Sequence, residues 1–235
     1  MKVVLVTMAV ATLLGFAGAA AAQVNYGLGT RAAEVPSFIG DGLTGSIWTS
    51  YAPNIAGSRA ITTIGSAAVS FAARAMDYPQ GADFVDSGSP LNDFLGTDAA
   101  SLIGLDGATE NSAGKVFTFT GFIAIRGPGT YRFTVASDDG MELLIGGQRV
   151  TAFDGDRGFD PTSGSGDFAE SGLYTIDLLY WANDNGESGM AFSWLRPGDL
   201  NPAIVSSADL YTIIPTPSAA ALLALGGLMA ARRRR

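Results

Sequence analysis

The chain has 235 residues, 31 of them glycine, with 47% hydrophobic and 15% charged side chains. It contains no histidine and no cysteine, which excludes imidazole triads, thiolate nucleophiles, disulfides, zinc–thiolate centres and iron–sulfur clusters. Any metal site must be built from oxygen atoms, a donor set that suits calcium or magnesium.

In chain order, "MKVVLVTMAVATLLGFAGAAAAQV" comes first. Lys2 precedes an apolar run that closes on the small residues Ala20, Ala21 and Ala22. This pattern predicts a secretory signal peptide over residues 1–22 and an exported protein. Residues 23–40 carry no periodic signal. "GLTGSIWTSY" predicts a strand with Leu43, Ile47, Trp48 and Tyr51 as apolar anchors, and residues 55–66 fit a short helix. "AAVSFAARAMDYP" alternates Val69, Phe71 and Ala73 as a strand would. Ser89 as cap and Pro90 at the first position predict a short helix or turn over 90–95, ended by Gly96.

After Gly114 the strand signals sharpen. "KVFTFTGFIAI" is β-rich, and residues 126–129 carry turn chemistry. "TYRFTVAS" alternates Tyr131, Phe133 and Val135 against Arg132 and Thr134. "MELLI" leads to Gly146-Gly147, a two-residue hairpin turn. "LYTIDLLYW" places Tyr174, Ile176, Leu178 and Tyr180 on one face, and "GMAFSWLRPG" does so with Met190, Phe192 and Trp194. Many short strands with apolar faces predict an all-β fold, a sandwich or barrel of antiparallel strands with one or two short helices. One domain over 23–212 accounts for them.

Five elements in order carry a resemblance: a Gly-x-Tyr-x-Phe strand at Gly129, "SDDG" at Ser137, the glycine hairpin, "GLY" at Gly172 and "WLRPG" at Trp194. Together they resemble the protective-antigen-type (PA-fourteen) domain, best over 114–198. That resemblance implies a β-sandwich. It also implies a carbohydrate-binding, adhesive or purely structural role.

The pair Asp138-Asp139 raises the question of a ligand. In a regular strand the two side chains would point to opposite faces, so both reach one cation only if the backbone turns sharply. Asp and Gly also favour plain turns, which leaves an acidic turn as the alternative. In lectin members of the family the matching pair binds calcium through a cis peptide bond, and the calcium ligates sugar hydroxyls. The resemblance implies further ligands from the loop "WANDNGESG". Asn183 is expected first and Asp184 second as metal ligands. Asn185 and Trp181 are expected to border the sugar, with Trp181 stacking on it unless it belongs to the core. Asp154, Asp156 and Asp160 are spaced like an oxygen-rich cation loop but lack the acidic twelfth position. They read as a solvated loop, with Asp156 bordering the sugar site.

The end reads "IIPTPSAAALLALGGLMAARRRR". About 13 apolar residues, 219–231, would span roughly 20 Å as a helix against a ~30 Å hydrocarbon core. Arg232, Arg233, Arg234 and Arg235 would lie on the cytoplasmic side. A proline motif, a short membrane helix and an arginine cluster over 213–235 resemble the PEP-CTERM sorting signal, here Pro215-Thr216-Pro217 with Thr216 where the family has Glu. The resemblance implies processing by an exosortase. An inner-membrane-tethered precursor would then become a cell-surface or extracellular-matrix protein.

Lys2 and the four terminal arginines supply five of the 14 basic side chains, leaving nine against 22 acids in the domain, about −13. Such a charge disfavours nucleic acid and favours divalent cations, neutral glycans or basic partners. The expected function is a non-enzymatic, calcium-dependent glycan-binding or adhesion module, with glycan or exopolysaccharide as partner. The alternative is a metal-free structural or protein-interaction sandwich of the matrix. Paired carboxylates also serve glycosidases, but those catalysts sit in deep clefts on larger scaffolds, so no enzymatic activity is expected.

Overall fold

A computed structural model describes residues 23–26, 31–184 and 186–212. The expected signal peptide, membrane helix, sorting motif and Asn185 lie outside the described residues. In chain order the elements are β1 (Gln23–Tyr26), β2 (Arg31–Ala33), β3 (Leu43–Trp48), α1 (Ile55–Ile64), β4 (Val69–Ala73), β5 (Asp77–Tyr78), α2 (Leu91–Leu95), β6 (Lys115–Ile125) and β7 (Gly129–Asp138). They continue with β8 (Met141–Ile145), β9 (Gln148–Phe153), β10 (Asp160–Phe168), β11 (Gly172–Ala182), β12 (Gly189–Leu195), β13 (Ala203–Ile204) and β14 (Leu210–Tyr211). Two 3-10 turns, Gly96–Ser101 and Ser207–Asp209, complete the set.

The strands form two sheets. One runs β1-β10-β7-β12-β13 with β5 beside β12; the other runs β4-β3-β6-β11-β8-β9 with β14 on β6 and β2 on β11. Every pairing but β1 with β10 is antiparallel. The alternation in the sequence becomes the core between them. Tyr131, Phe133 and Val135 of β7 and Met190, Phe192 and Trp194 of β12 face Phe117 and Phe119 of β6 and Ile176, Leu178 and Tyr180 of β11. Phe94 of α2 plugs one end of the core, stacked on Tyr180 with centroids 6.0 Å apart. Burying such a ring contributes roughly 1.5–3 kcal/mol, so α2 is held by packing and not by its five-residue length.

β11 is buried on both faces from Leu178 to Ala182. Its odd positions Leu179 and Trp181 meet Val116 under a cover of Trp48, Tyr51, Ile55 and Ile61. Helix α1 therefore lies on the outer face of the larger sheet. Asn54 caps it, accepting from Gly57 N at 2.7 Å. Arg59 pins it, binding Glu142 at 2.9 Å and Asp177 at 2.8 Å.

Three expectations differ from the structure. Helix α2 starts at Leu91, not Pro90, because Pro90 is extended with ψ 145 and makes no side-chain cap bond; Leu91 N instead donates to Glu110 O at 2.6 Å. Residues 23–40 hold two short strands. Residues 160–168, expected as loop, form β10, paired with β7 over nine positions. β10 owes its place to main-chain pairing, since Phe168 is its sole residue in the core cluster.

Candidate cation and ligand site

Three connections meet at one end of the sandwich: the β7–β8 turn, the β9–β10 loop and the β11–β12 loop. They border an open, shallow pocket of about 540 Å³ lined by Asp138, Asp139, Asp156, Arg157, Gly158, Asn183, Gly186 and Glu187. The Asp138–Asp139 peptide is cis, and both carboxylates line this pocket.

The turn is fixed from below. Asp139 N donates to Trp181 O, and Trp181 N donates to Gly140 O, both at 3.1 Å. Ser137 Oγ donates to Asp139 O at 2.7 Å, and Tyr180 Oη donates to Asp138 O at 2.6 Å. A Cβ on Gly140 would stand 2.0 Å from Trp181 Cζ2, so glycine is required where the turn crosses the indole. The backbone is thus tied to the core at four points before either carboxylate takes part.

The carboxylates are buried, Asp138 to 4% and Asp139 to 2% exposure. Asp139 accepts N–H groups from Arg157 N at 3.0 Å, Asn183 N at 2.7 Å and Asn183 Nδ2 at 3.1 Å. Even so, burial raises its pKa, and those donors lower it only in part. Asp138 is pushed up to about 7, first by burial, then by Asp139 and Glu187. Among the described residues neither forms an ion pair with Lys or Arg. Arg157 lines the pocket but spends its guanidinium elsewhere. It donates to Thr162 Oγ1 at 2.7 Å and Ser137 Oγ at 2.9 Å, and it lies 4.2 Å from the Phe153 ring centre.

The donor set suits a hard cation. The two buried carboxylates are adjacent and feel the charge of Arg157 without forming an ion pair with it, and their oxygens have lone pairs beyond those already used. Asn183 currently turns Nδ2 to Asp139, while its Oδ1 faces Gly186. A half-turn of that amide would present oxygen to the pocket. No group of three or more carboxylates converges among the described residues, so other ligands must be amide, carbonyl or water oxygens.

Asp138, Asp139, Asn183 and Asp156 lie together in the pocket, as expected. Two expected residues do not. Asp184 turns away toward the Gly114 turn, where a Cβ on Gly114 would lie 2.4 Å from its Oδ1, so it does not reach the carboxylate pair. Trp181 is fully buried beneath α1, so its ring offers no face to a sugar. Asp154 and Asp156 serve as acceptors, for Ile55 N and Tyr51 Oη respectively, each at 2.6 Å, and Asp160 opens β10. Glu187 and Arg157 were not expected. No sequence signal marks them; the fold brings Glu187 in because Gly189, two residues on, sits opposite Asp138 in the β12–β7 register.

A two-sheet antiparallel sandwich with an acidic loop pocket at one end defines a class of modular domain. No family model and no curated protein sequence matches the chain. Solved structures do, and they make the fold PA14-like. The PA14 domain of the MpAFP antifreeze protein aligns with TM-score 0.65 and 28% identity, over 79% of this chain and 97% of that one. A PA14 sugar-binding domain from an RTX adhesin aligns with TM-score 0.61 and 24% identity, over 75% and 99%. The A domain of epithelial adhesin 9 from Candida glabrata, in complex with Galb1-4GlcNAc, aligns with TM-score 0.54 and 12% identity, over 80% and 97%.

Proposed function

We propose that this protein is an exported, non-catalytic glycan-binding or adhesion module whose ligand is engaged through calcium at the Asp138–Asp139 pair. The observation that carries the reading is a pair of buried, adjacent carboxylates that form no salt bridge among the described residues and open into one pocket with Asn183. The similarity to a sugar-binding PA14 domain and to adhesin domains crystallised with glycans supports the same reading.

Asp138 and Asp139 would hold the ion, with Asn183 adding its amide oxygen. When bound, calcium would offset their repulsion and offer open positions to vicinal hydroxyls. The backbone ties from Tyr180 and Trp181 keep both carboxylates aimed at the pocket before any ligand arrives. Asp156 and Glu187 keep the rim acidic, which favours neutral glycans over anionic ones. Screening residues 23–212 on a glycan array, with calcium and then with chelator, tests this. Calcium-dependent retention on a defined glycan is expected. Equal signals in both conditions would defeat the calcium mechanism.

Residues 1–22, read as a signal peptide, and the Pro215-Thr216-Pro217 tail, read as a sorting signal, support a mature domain at the cell surface or in the matrix after exosortase processing. Mass spectrometry of protein from an exosortase-bearing host is expected to find Gln23 at the start and Arg232 to Arg235 removed. An intact tail would contradict this.

A further inference from the structure

The pocket wall of residues 154–158 is fastened to helix α1 on one side and to the carboxylate pair on the other. On the α1 side, Tyr51 Oη donates to Asp156 Oδ2 at 2.6 Å, and Ile55 N donates to Asp154 Oδ1 at 2.6 Å. On the pocket side, Arg157 N donates to Asp139 Oδ1 at 3.0 Å. The rings repeat this route through the apolar layer. Tyr51 and Ile55 pack against the cluster of Val116, Leu179 and Trp181, and Trp181 lies directly beneath Gly140. Burial and the Asp156 carboxylate hold the Tyr51 hydroxyl above its ordinary pKa, so it stays a donor across the neutral range.

We propose that Tyr51 is a positioning residue for the pocket, holding the 154–158 wall through Asp156 so that the Arg157 amide stays on Asp139. Helix α1 is then the brace of the site, with Asp154 as its second fastening. Asp154 accepts from the first residue of α1 and Asp156 from Tyr51 in the connection that leads into it, and the two do not act as a second cation site. The consequence for ion affinity rests on the calcium reading; the bracing does not.

The test uses amide hydrogen exchange on the metal-free domain, with calcium titration beside it. Tyr51→Phe keeps the packed ring and changes no charge. It is expected to speed exchange at Arg157 about tenfold while leaving Ile176 and Leu178 of β11 unchanged. Asp154→Ala should act in the same direction. Asp154→Asn keeps Oδ1 for Ile55 N and should restore protection, whereas a long-range charge effect would treat both variants alike. Calcium affinity should fall several-fold in Tyr51→Phe and Asp154→Ala and recover in Asp154→Asn. Unchanged exchange at Arg157 in Tyr51→Phe would overturn the proposal. Faster exchange in a domain that binds no calcium would uphold the brace and remove only the calcium reading.

Discussion

Glu142 and the Asp138–Asp139 pair stand within four residues of each other on one hairpin, and the fold treats them oppositely. Glu142 is 4% exposed and meets two guanidiniums, Arg59 at 2.9 Å and Arg149 at 2.5 Å. Asp138 is equally buried, yet Arg157 next to it donates to hydroxyls instead. Asp98, 3% exposed, is satisfied by hydrogen bonds instead, accepting from Arg74 N, Ala75 N and Tyr78 Oη. Buried carboxylates in this molecule are compensated where they serve the fold. Asp139 also accepts three N–H groups, but the pair forms no salt bridge among the described residues, and two adjacent carboxylates open into one pocket, which marks them as a place for a ligand.

The comparison can be broken by removing the compensated acid. Glu142→Ala strips two arginines of their partner and leaves α1 less firmly pinned. A loss of about 2 kcal/mol is expected, or about 4–8 °C in melting temperature, discounted because Arg149 is largely exposed. That loss should be the same with calcium or chelator.

The pH dependence sharpens the other side. Asp138 has a folded pKa of about 7 against an ordinary 3.8. The folded state therefore binds a proton more tightly than the unfolded chain, and this group adds stability as pH falls from about 7 toward 4. Its penalty is full above pH 7 and gone below about pH 4. The metal-free domain should gain stability from this group between pH 8 and pH 5, and Asp138→Asn should flatten the slope. Proton and ion compete for the same carboxylate, so calcium affinity should fall roughly tenfold at pH 6 and roughly a hundredfold at pH 5. Isothermal titration at the three pH values checks this. The smallest effect is expected at Asp184, whose side chain faces Gly114. Asp184→Asn should change stability by less than about 0.5 kcal/mol and leave any calcium response intact.

Much of the larger sheet could be read in advance because β6, β8 and β11 alternate or run apolar, and a hairpin turn at Gly146-Gly147 (φ 60 and 76) announces itself. β10 could not be read. "DPTSGSGDF" has one large apolar residue, and its pairing with β7 is a main-chain matter that leaves no periodicity. The site was half legible. Adjacent aspartates before a glycine point to a turn of special geometry, and Asn183 follows from the family likeness. For Trp181 the sequence left a sugar-stacking role and a core role open, and the cover of α1 over that face of β11 decides for the core. Arg157 and Glu187 enter only by convergence of two loops, which no local pattern encodes.

The most direct test is thermal unfolding of residues 23–212 in millimolar calcium and then in chelator, with the Asp138→Asn/Asp139→Asn double variant alongside. Ion at a hundred times its dissociation constant contributes about 2.7 kcal/mol, which for a domain of this size raises the melting temperature by about 5–10 °C. The account predicts that rise in the native domain and none in the double variant. Equal melting temperatures in calcium and chelator would contradict it and leave the pair as an acidic turn.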